Sequence, residues 1–442
     1  MDEFVNQIEQ HIKSLKGINK VVVAYSGGVD SHVLLQACSK LQKTLDHLSF
    51  LAVYIDHGLH DDSLLWAEHC KKIAGDLNVP FVSKQVYAKN DHGEGPEQAA
   101  RRARYKALSG FIDQYSVLLT AQHQDDQAET LMLQLLRGAG LDGLASMPVS
   151  AEFYKGFIVR PFLGYTKQQV LQYAQKENLV WIEDSSNLDV SYDRNFLRQQ
   201  VIPLIQSRWP AFSRTTARSA SHCAEAASIL ADICAPILSE AGVRELPIAI
   251  IKQHNEAYQR LIIRQWLKAQ GVRVPSKKQL LQIQGLLKGD VRKVSIVEWS
   301  NHQVRLFDEH FYYKEKQSEP IISVHEWLDK EYQLPEPLGQ LIIQPSKGLG
   351  VDRQLWDSAH ITIRSRQGGE SIKLAGRSGR KTLKKLLNEE RILPWVRNSL
   401  PLIYLNDELV AVADLWLDER YLASAESPSY TINWLHPTWR IK

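Results

Sequence analysis

The chain has 442 residues, of which 44% are hydrophobic and 23% charged, and its formal net charge is +3 at pH 7. This length exceeds that of one typical domain and predicts two or three, while the composition excludes a disordered or fibrous protein. We find no N-terminal apolar signal segment and no apolar run long enough to span a bilayer, so we expect a cytoplasmic protein with no membrane partner.

Between residue 20 and about residue 165, short β-rich segments alternate with amphipathic helical segments. That alternation predicts a parallel sheet covered by helices on both faces. The predicted strands are Lys20–Tyr25, Phe50–Ile55, Phe81–Val86 and Val117–Ala121, and the predicted helices are Asp61–Leu77 and Glu97–Tyr115. Because ligands bind at the carboxyl ends of parallel strands, we expect the polar segments that follow these strands to meet in one crevice.

The rest of the chain changes character twice. A stretch rich in Ala, Ser and Leu, from about Pro203 to Glu245, predicts one or two long helices. A smaller, mainly helical region follows, with helices at Gln259–Ala269 and Lys277–Leu287, and from about residue 315 the sequence becomes β-rich and proline-punctuated. The predicted class is α/β, with a parallel-sheet domain at 1–215, a helical domain at 216–314 and a smaller α+β domain at 315–442.

The segment Ser26-Gly27-Gly28-Val29-Asp30-Ser31 joins the first predicted strand to a helix. Such a turn points backbone N–H groups and the positive end of a helix dipole at one place, where a phosphate can bind. The glycines permit close approach of the anion, the serines add donors, and Asp30 can hold a divalent metal. Because no Gly-Lys-Ser/Thr follows, the loop is not a Walker loop and suits a leaving pyrophosphate. The alternative is a plain turn before an N-capped helix.

Two further groups of polar residues follow the early strands. Asp56 and His57 end the second predicted strand, where adenine and ribose could be contacted, although a turn before a helix capped by Asp61 explains them equally well. Arg101 and Arg104 lie three residues apart on one face of a basic helix and could meet phosphates together. The alternative for this helix is a solvated charged face.

The segment His123–Thr130 opens a helix and carries a cluster of carboxylates, Asp125, Asp126 and Glu129. Clustered carboxylates suit a Mg²⁺ that serves ATP, and an acid-rich helix N-terminus favoured by the dipole is the alternative. Residues 138–143 match the pattern G-x-G-x-x-G, but they follow a helix rather than a strand, so we interpret them as a helix C-cap and loop. Arg194 and Arg198, four residues apart, could form a clamp for a polyanion, and a capping arrangement before a helix is the alternative.

Residues 364–397, called the basic segment below, contain ten lysines and arginines against three acids, a local balance of +7. A basic helix is predicted within it at Lys381–Glu389. A compact basic face suits a phosphate backbone. A solvated charged helix that keeps the region soluble is the alternative.

The sequence Ser-Gly-Gly-x-Asp-Ser after a strand resembles the PP-loop motif of the N-type ATP pyrophosphatases, which have an adenine nucleotide α-hydrolase-like fold. Within that superfamily the chain is similar to the tRNA(Ile)-lysidine synthetase family. The segments that carry the similarity are 56–59, 97–105, 123–130, 137–144, 160–161 and 183–198, with a looser likeness at 364–395. Two positions depart from the family pattern, because His60 stands where arginine is frequent and Ala139 where serine is common.

The resemblance implies a two-step reaction on the wobble cytidine of a tRNA(Ile) with a CAU anticodon. ATP adenylates the C2 oxygen and releases pyrophosphate; free L-lysine then attacks C2 through its side-chain amine, and AMP leaves. The basic C-terminal domain would bind the tRNA, the domain at 216–314 would bind substrate, and a homodimer is a candidate assembly.

The resemblance also implies roles for particular residues. Pyrophosphate would be held by Ser26, Gly27, Gly28, Val29 and Ser31, and the nucleotide would also be contacted by Asp56 and His57. Asp30 and Asp126 would hold Mg²⁺, and Arg101 and Arg194 would offset charge at the α-phosphate. Because the attacking amine must be neutral, a base is needed, for which Asp126 and Glu129 are candidates.

Two other functions stay open at this point. A non-catalytic nucleotide- or tRNA-binding regulator could retain the loop, although Asp30 and the carboxylate cluster are then unexplained. A small-molecule amide or thiolation ligase of the same superfamily is the second. The cysteines Cys38, Cys70, Cys223 and Cys234 form no Cys-x-x-Cys pair, which argues against a zinc or iron–sulfur site, and no glutaminase segment is evident.

Overall fold

The computed structural model describes residues 2–56, 63–87, 96–183, 188–242, 244–272, 274–289, 294–317 and 319–436. The chain divides into two compact units, Met1–Ala231 and Asp232–Lys442. The boundaries of the three domains expected from the sequence stay predictions.

The first unit is built around a six-stranded sheet. Its strands are β1 (Lys20–Ala24), β2 (Ser49–Asp56), β3 (Phe81–Gln85), β4 (Ser116–Leu119), β5 (Ser150–Phe153) and β6 (Gly156–Val159). They lie in the order β3-β2-β1-β4-β6-β5, and every neighbouring pair is parallel except β5 and β6. The predicted parallel sheet is confirmed, while the hairpin that places β5 at its edge was not predicted.

Ten helices in the described residues begin in the first unit. They are α1 (Glu3–Ser14), α2 (Val29–Gln42), α3 (Ser63–Asp76), α4 (Pro96–Ser109), α5 (Gln124–Leu136), α6 (Leu141–Leu144), α7 (Lys167–Lys176), α8 (Asp193–Phe196), α9 (Ile202–Arg208) and α10 (Phe212–Ser239). A π-helical turn, Leu197–Val201, joins α8 to α9.

The centre of the sheet is apolar on both faces. Val21 and Val23 pack with residues of α1, α2 and α7, whereas Val22, between them, packs with Leu108 of α4 and with Leu118. Successive side chains of a strand point to opposite faces, so this short apolar run serves two cores at once. The phosphate loop, Asp56 and His123 all follow the strands of this sheet at their carboxyl ends, which we call the active-site edge.

Helix α10 is long and apolar enough to cross a membrane by length and composition alone. This property was not predicted, because the helix mixes isoleucine and leucine with many small residues instead of forming one continuous apolar run. A single helix that passes this test does not by itself indicate a membrane span.

In its described residues, the second unit contains four antiparallel sheets. Its strands are β7 (Glu245–Pro247), β8 (Ser295–Trp299), β9 (His302–Phe307), β10 (His310–Glu315), β11 (His325–Glu326), β12 (Glu331–Gln333), β13 (Gln340–Lys347), β14 (Val351–Asp352), β15 (Ile361–Arg364), β16 (Ser371–Ile372), β17 (Lys381–Thr382), β18 (Leu402–Leu405), β19 (Glu408–Val412), β20 (Trp416–Leu417) and β21 (Pro428–Leu435). The strand orders are β7-β10-β9-β8, β11-β15-β18-β19-β20, β12-β13-β21-β14 and β16-β17.

The helices of the second unit are α11 (Ile248–Lys252), α12 (Glu256–Ala269), α13 (Lys277–Gly285), α14 (Arg353–Asp357) and α15 (Leu383–Glu389). The helices predicted near residues 259 and 277 are therefore confirmed. The sheet β7–β10 in the same region was not predicted. Its β9–β10 turn uses Asp308 and Glu309, both at positive φ (45° and 63°), where a glycine would have given the usual sequence signal.

Trp395 packs the region of β7–β10 against the C-terminal sheets within the second unit. Its ring lies 5.1 Å from that of Tyr312 and 6.2 Å from that of Phe307, and the guanidinium of Arg305 lies 5.0 Å above it. Arg391 adds a salt bridge of 3.0 Å to Asp308. These contacts make residues of the two regions parts of one packed surface.

Candidate active site

The phosphate loop has the backbone conformation that an anion cradle needs. Gly27 has φ +83°, and a Cβ there would lie 2.8 Å from Cδ1 of Ile182 and 2.9 Å from Sγ of Cys70. Any side chain at this position would therefore clash as well as strain the backbone. Gly28 is the N-cap residue of α2 and makes no side-chain cap, so the first N–H groups of the helix are left for a ligand.

Two serines fix the shape of this loop. The Ser31 hydroxyl accepts from the backbone N–H of Ser26 at 3.1 Å and donates to the carbonyl of Gly28 at 2.9 Å. The Ser26 hydroxyl lies 3.1 Å from that of Ser31. Ser26, Gly27 and Gly28 thus lie between β1 and α2, and Val29 and Ser31 lie in the first turn of α2.

Asp30 lies in the first turn of α2 and is bound by a lysine from far along the chain. Nζ of Lys167, the first residue of α7, is 2.7 Å from each carboxylate oxygen of Asp30. Nε2 of His123 is 3.8 Å from Oδ2 of the same carboxylate. No local sequence signal pointed to the lysine, since the two residues are 137 positions apart.

His123 and Asp126 begin α5 as a reciprocal cap. The His123 ring accepts from the backbone N–H of Asp126, and Oδ2 of Asp126 accepts from the backbone N–H of His123 at 3.0 Å. Nε2 of His123 is also 3.4 Å from Oδ2 of Asp126. The carboxylates of Asp30 and Asp126 therefore flank one imidazole nitrogen, which confirms that the segments after β1 and β4 meet.

Opposing effects act on the pKa of Asp126. Burial raises it, but the neighbouring His123, Arg194 and Arg198 and the backbone N–H of His123 outweigh burial and hold the pKa of this carboxyl below its usual value. Asp126 is therefore a stable carboxylate at neutral pH.

Glu129 is the most deeply buried of the three clustered acids, with 1% of its surface exposed. Its carboxylate accepts from Nε of Arg194 at 2.8 Å and from Nε and Nη2 of Arg198 at 2.6 and 2.9 Å. Nη2 of Arg198 also reaches Oδ1 of Asp126 at 3.1 Å. The two arginines thus form the predicted clamp, but in this structure they clamp carboxylates of the protein itself.

Asp125 has a different neighbourhood from the next residue, Asp126. Its carboxylate accepts from the hydroxyl of Ser213 at 2.7 Å and from the backbone N–H of Lys167 at 2.8 Å. It therefore joins the beginnings of α5, α7 and α10, and its Oδ2 also lies 3.8 Å from Nδ1 of His123. No group of three or more His, Cys, Asp or Glu side chains suited to a metal occurs among the described residues.

Arg101 and Arg194 line one cleft of about 260 Å³, together with Arg137 and Thr130. The Arg101 guanidinium lies 5.0 Å from the ring centre of Tyr105. Burial raises the pKa of Tyr105, but Arg101, Arg160 and Arg104 outweigh it and lower that pKa overall. The two arginines predicted to act at the α-phosphate therefore face the same space.

Asp56 is buried at the carboxyl end of β2, at the active-site edge. His57 lies outside the described residues. So do His60, which differs from the family pattern, and residues 184–187 of the segment 183–198 that resembles the family. Gly138 has φ +67° just after α5, which confirms the helix end predicted there, but residues 141–143 belong to the short helix α6 rather than to a loop.

In the second unit, much of the basic segment is paired with acids that are distant in sequence. Arg380 lies 3.9 Å from Asp418, Lys373 pairs with Glu419, and Arg391 pairs with Asp308 as described above. These acids lie outside residues 364–397, so the local charge is smaller than the sequence count of +7 indicates.

Four other basic residues of the basic segment differ in whether they form salt bridges. Arg377 and Lys381 both pair with Glu389, at 3.4 and 2.9 Å. Lys384 and Lys385, on the exposed side of α15, form no salt bridge within the part of the chain that the structure describes. These two lysines are the strongest candidates for contacts with an external polyanion.

Comparisons with known proteins agree with this geometry. Residues 1–205 match the PP-loop domain family, residues 246–312 the TilS substrate binding domain and residues 361–434 the TilS substrate C-terminal domain. A tRNA(Ile)-lysidine synthase of Coxiella burnetii is 38% identical over 434 residues, which cover 95% of this chain and 94% of the relative. The chain belongs to the tRNA(Ile)-lysidine synthase family.

Other tRNA(Ile)-lysidine synthases match at similar levels. That of Proteus mirabilis is 35% identical and covers 97% of this chain and 98% of its own, and that of Methylococcus capsulatus is 34% identical with 93% and 95% covered. Among solved structures, a U34-tRNA thiolase of Methanococcus maripaludis has a TM-score of 0.42 at 16% identity, covering 50% of this chain and 78% of that one. As a family member, the chain is an ATP-dependent ligase that forms lysidine on tRNA(Ile).

Proposed function

We propose that the active-site edge of the first unit carries out both steps of lysidine formation. In the first step the C2 oxygen of the wobble cytidine attacks the α-phosphorus of ATP, and pyrophosphate leaves with the electron pair of the broken P–O bond. In the second step the neutral amine of L-lysine attacks C2, the C2–O bond to AMP breaks, and the amine loses a proton. The meeting of the phosphate loop with Asp30, Asp126 and Arg194 at one sheet edge supports this proposal.

The loop residues 26–31 would hold the pyrophosphate part of ATP. The uncapped N–H groups at the start of α2 and the close-approach site at Gly27 and Gly28 suit phosphate oxygens. Asp56, buried at the same edge, would contact the nucleoside part. His57 is proposed for the same role from the sequence alone.

Asp30 and Asp126 would hold a Mg²⁺ together with phosphate oxygens. Mg²⁺ commonly binds through one or two carboxylates plus substrate phosphates, so the carboxylates of Asp30 and Asp126, which lie 3.8 and 3.4 Å from Nε2 of His123, could supply the protein's oxygen ligands. The low pKa of Asp126 keeps it in the metal-binding, charged form. When bound, the metal would neutralise charge on the phosphates.

Glu129 would position the two arginines. The buried Glu129 carboxylate already accepts hydrogen bonds from Arg194 and Arg198, so it is poorly suited to take a proton from the amine of the substrate L-lysine. The same hydrogen bonds fix the planes of both guanidinium groups. Arg194 and Arg101, on the shared cleft, would then offset charge at the α-phosphate. Of the two candidate bases, Asp126 is the more accessible.

The basic segment would bind the tRNA body, while the first unit accepts the unstacked anticodon base. The CAU anticodon and a homodimer are further proposals, which rest on the resemblance, and a cytoplasmic location is a proposal from the sequence composition.

The test is mass spectrometry of nucleosides from tRNA(Ile) incubated with the protein, ATP and isotope-labelled lysine. We expect labelled lysidine, with AMP and pyrophosphate as products of α- and γ-labelled ATP. Asp126→Asn and a tRNA with another anticodon serve as controls. Formation of ADP and orthophosphate, or of no lysidine, would contradict the proposal.

A further inference from the structure

A lysine lies beside the phosphate loop, although the loop sequence itself contains none. The ammonium of Lys167 hydrogen-bonds both carboxylate oxygens of Asp30, in the first turn of the helix that the loop begins. We propose that Lys167 is the cation of the pyrophosphate cradle: it holds Asp30 in the free enzyme and moves to the phosphate oxygens when ATP and its divalent metal bind. This inference rests on the proposed function of the loop.

Competition for Asp30 gives the physical reason for the movement. A metal ion on the oxygens of Asp30 would replace the two hydrogen bonds from Lys167, and two cations a few ångströms apart repel each other. The lysine side chain is 37% exposed and ends a flexible four-carbon stem, so it has room to move. Phosphate oxygens bound at the start of α2 would be the nearest new anion.

The ammonium of Lys167 is not needed to hold α7 in place. Thr166 and Gln169 form a reciprocal cap at the start of this helix, and the backbone N–H of Lys167 donates to Asp125. Near the other end of α7, Nζ of Lys40 from α2 donates to Oε2 of Glu177 at 2.7 Å and to the hydroxyl of Tyr173 at 3.0 Å. The helix is therefore anchored at both ends without the Lys167 side chain.

The chemical role requires no proton transfer from the lysine. When the bond between the α-phosphorus and the bridging oxygen breaks, the electron pair stays on the leaving pyrophosphate. The protonated Lys167 would donate hydrogen bonds to that developing charge, which strengthens these bonds in the transition state.

The test is calorimetric binding of inorganic pyrophosphate to the full chain at saturating Mg²⁺. We expect Lys167→Met to weaken binding by at least about tenfold, as for the removal of a charge-assisted hydrogen bond, and Lys167→Arg to stay within about threefold of the parent. Lys40→Met, which removes the lysine at the far end of the same helix pair, should leave binding unchanged. Circular dichroism checks folding, and Lys167→Gln replaces the Met variant if that variant does not fold.

A double-mutant cycle with Asp30→Asn separates a phosphate contact from an effect through Asp30. With divalent metals removed by a chelator, the carboxylate of Asp30 competes with pyrophosphate for Lys167. Asp30→Asn removes that competitor, so Lys167→Met should then cause a larger loss in the Asp30→Asn background than in the parent. A smaller loss there, or parent-like binding by Lys167→Met alone, would overturn the inference and leave the proposed cradle intact. If the parent binds no pyrophosphate, both the inference and the cradle fail.

Discussion

The active-site edge of the first unit and the basic segment of the second use the same kinds of residue in opposite settings. At the edge, Glu129 is almost fully buried between Arg194 and Arg198. In the basic segment, Glu389 pairs with Arg377 and Lys381 close to solvent. Breaking a buried pair leaves an uncompensated charge, whereas exposed pairs are screened by water and salt. We therefore expect catalysis to depend on the first set and salt-sensitive tRNA binding on the second.

Glu129→Gln should produce the largest effect, because it leaves two partly buried guanidiniums without their carboxylate. We expect a loss of about 3–5 kcal/mol in the free energy of unfolding of the first unit. Urea unfolding followed by fluorescence measures it. Glu389→Gln is the matched exposed control and should leave the free energy of unfolding unchanged. Equal losses of stability in the two variants would contradict the difference expected between buried and exposed ion pairs.

Asp126→Ala should lower the rate of adenylation by at least roughly a hundredfold while the protein stays folded, because a metal ligand is removed. AMP release in the presence of tRNA(Ile) and saturating Mg²⁺ measures this rate, and Asp30→Ala should behave alike. Asp125→Asn is the adjacent control. Its carboxylate accepts from Ser213 and the backbone of Lys167 and lies 3.8 Å from the His123 ring, but it is not proposed as a metal ligand, so its effect on the rate should be below about tenfold. If Asp126→Ala has a near-normal rate of adenylation, Asp126 is not a metal ligand of the active site.

Neutralising Arg377, Arg380, Lys384 and Lys385 together should weaken tRNA binding and leave ATP binding unchanged. The slope of log affinity against log salt should fall by up to roughly one unit for each phosphate that the variant no longer neutralises. The structure sharpens this expectation, because both arginines have salt bridges and the two lysines have none to any described residue. Lys384→Ala with Lys385→Ala should therefore account for most of the change, and an unaltered slope would favour a solvated charged helix.

The smallest expected effect is a pH dependence of stability from His32, which is buried in α2. Burial, and secondarily the nearby His69, lower the pKa of His32 from its ordinary value of 6.5, so the folded state prefers the neutral ring. Its contribution is fully present above that value and is lost as the pH falls below it, because the unfolded state then binds more protons. Melting temperatures between about pH 8 and pH 5 should fall less steeply for His32→Gln than for the parent; identical pH profiles would contradict this expectation.

Local pattern was enough to predict several features of the site. Three of these features are each encoded within a few residues. They are the apolar run Val21–Val23, the glycine turn after it and the acid-rich start of α5. Strand, turn and helix preferences act over such distances, and parallel strands place their carboxyl ends together. The confluence of the phosphate loop with His123 and Asp126 followed from this reasoning.

The sequence by itself therefore determined the parallel sheet, the phosphate loop and the residues that follow its strands, because short-range periodicity encodes them. Only the tertiary structure decided which charges meet. Lys167 reaches Asp30 across 137 positions, Asp125 binds Ser213 whereas the adjacent Asp126 binds Arg198, and Arg391 of the basic segment is paired with Asp308. Ion pairs depend on distances of a few ångströms between side chains of different elements, and these distances are set by how helices and sheets pack rather than by spacing along the chain.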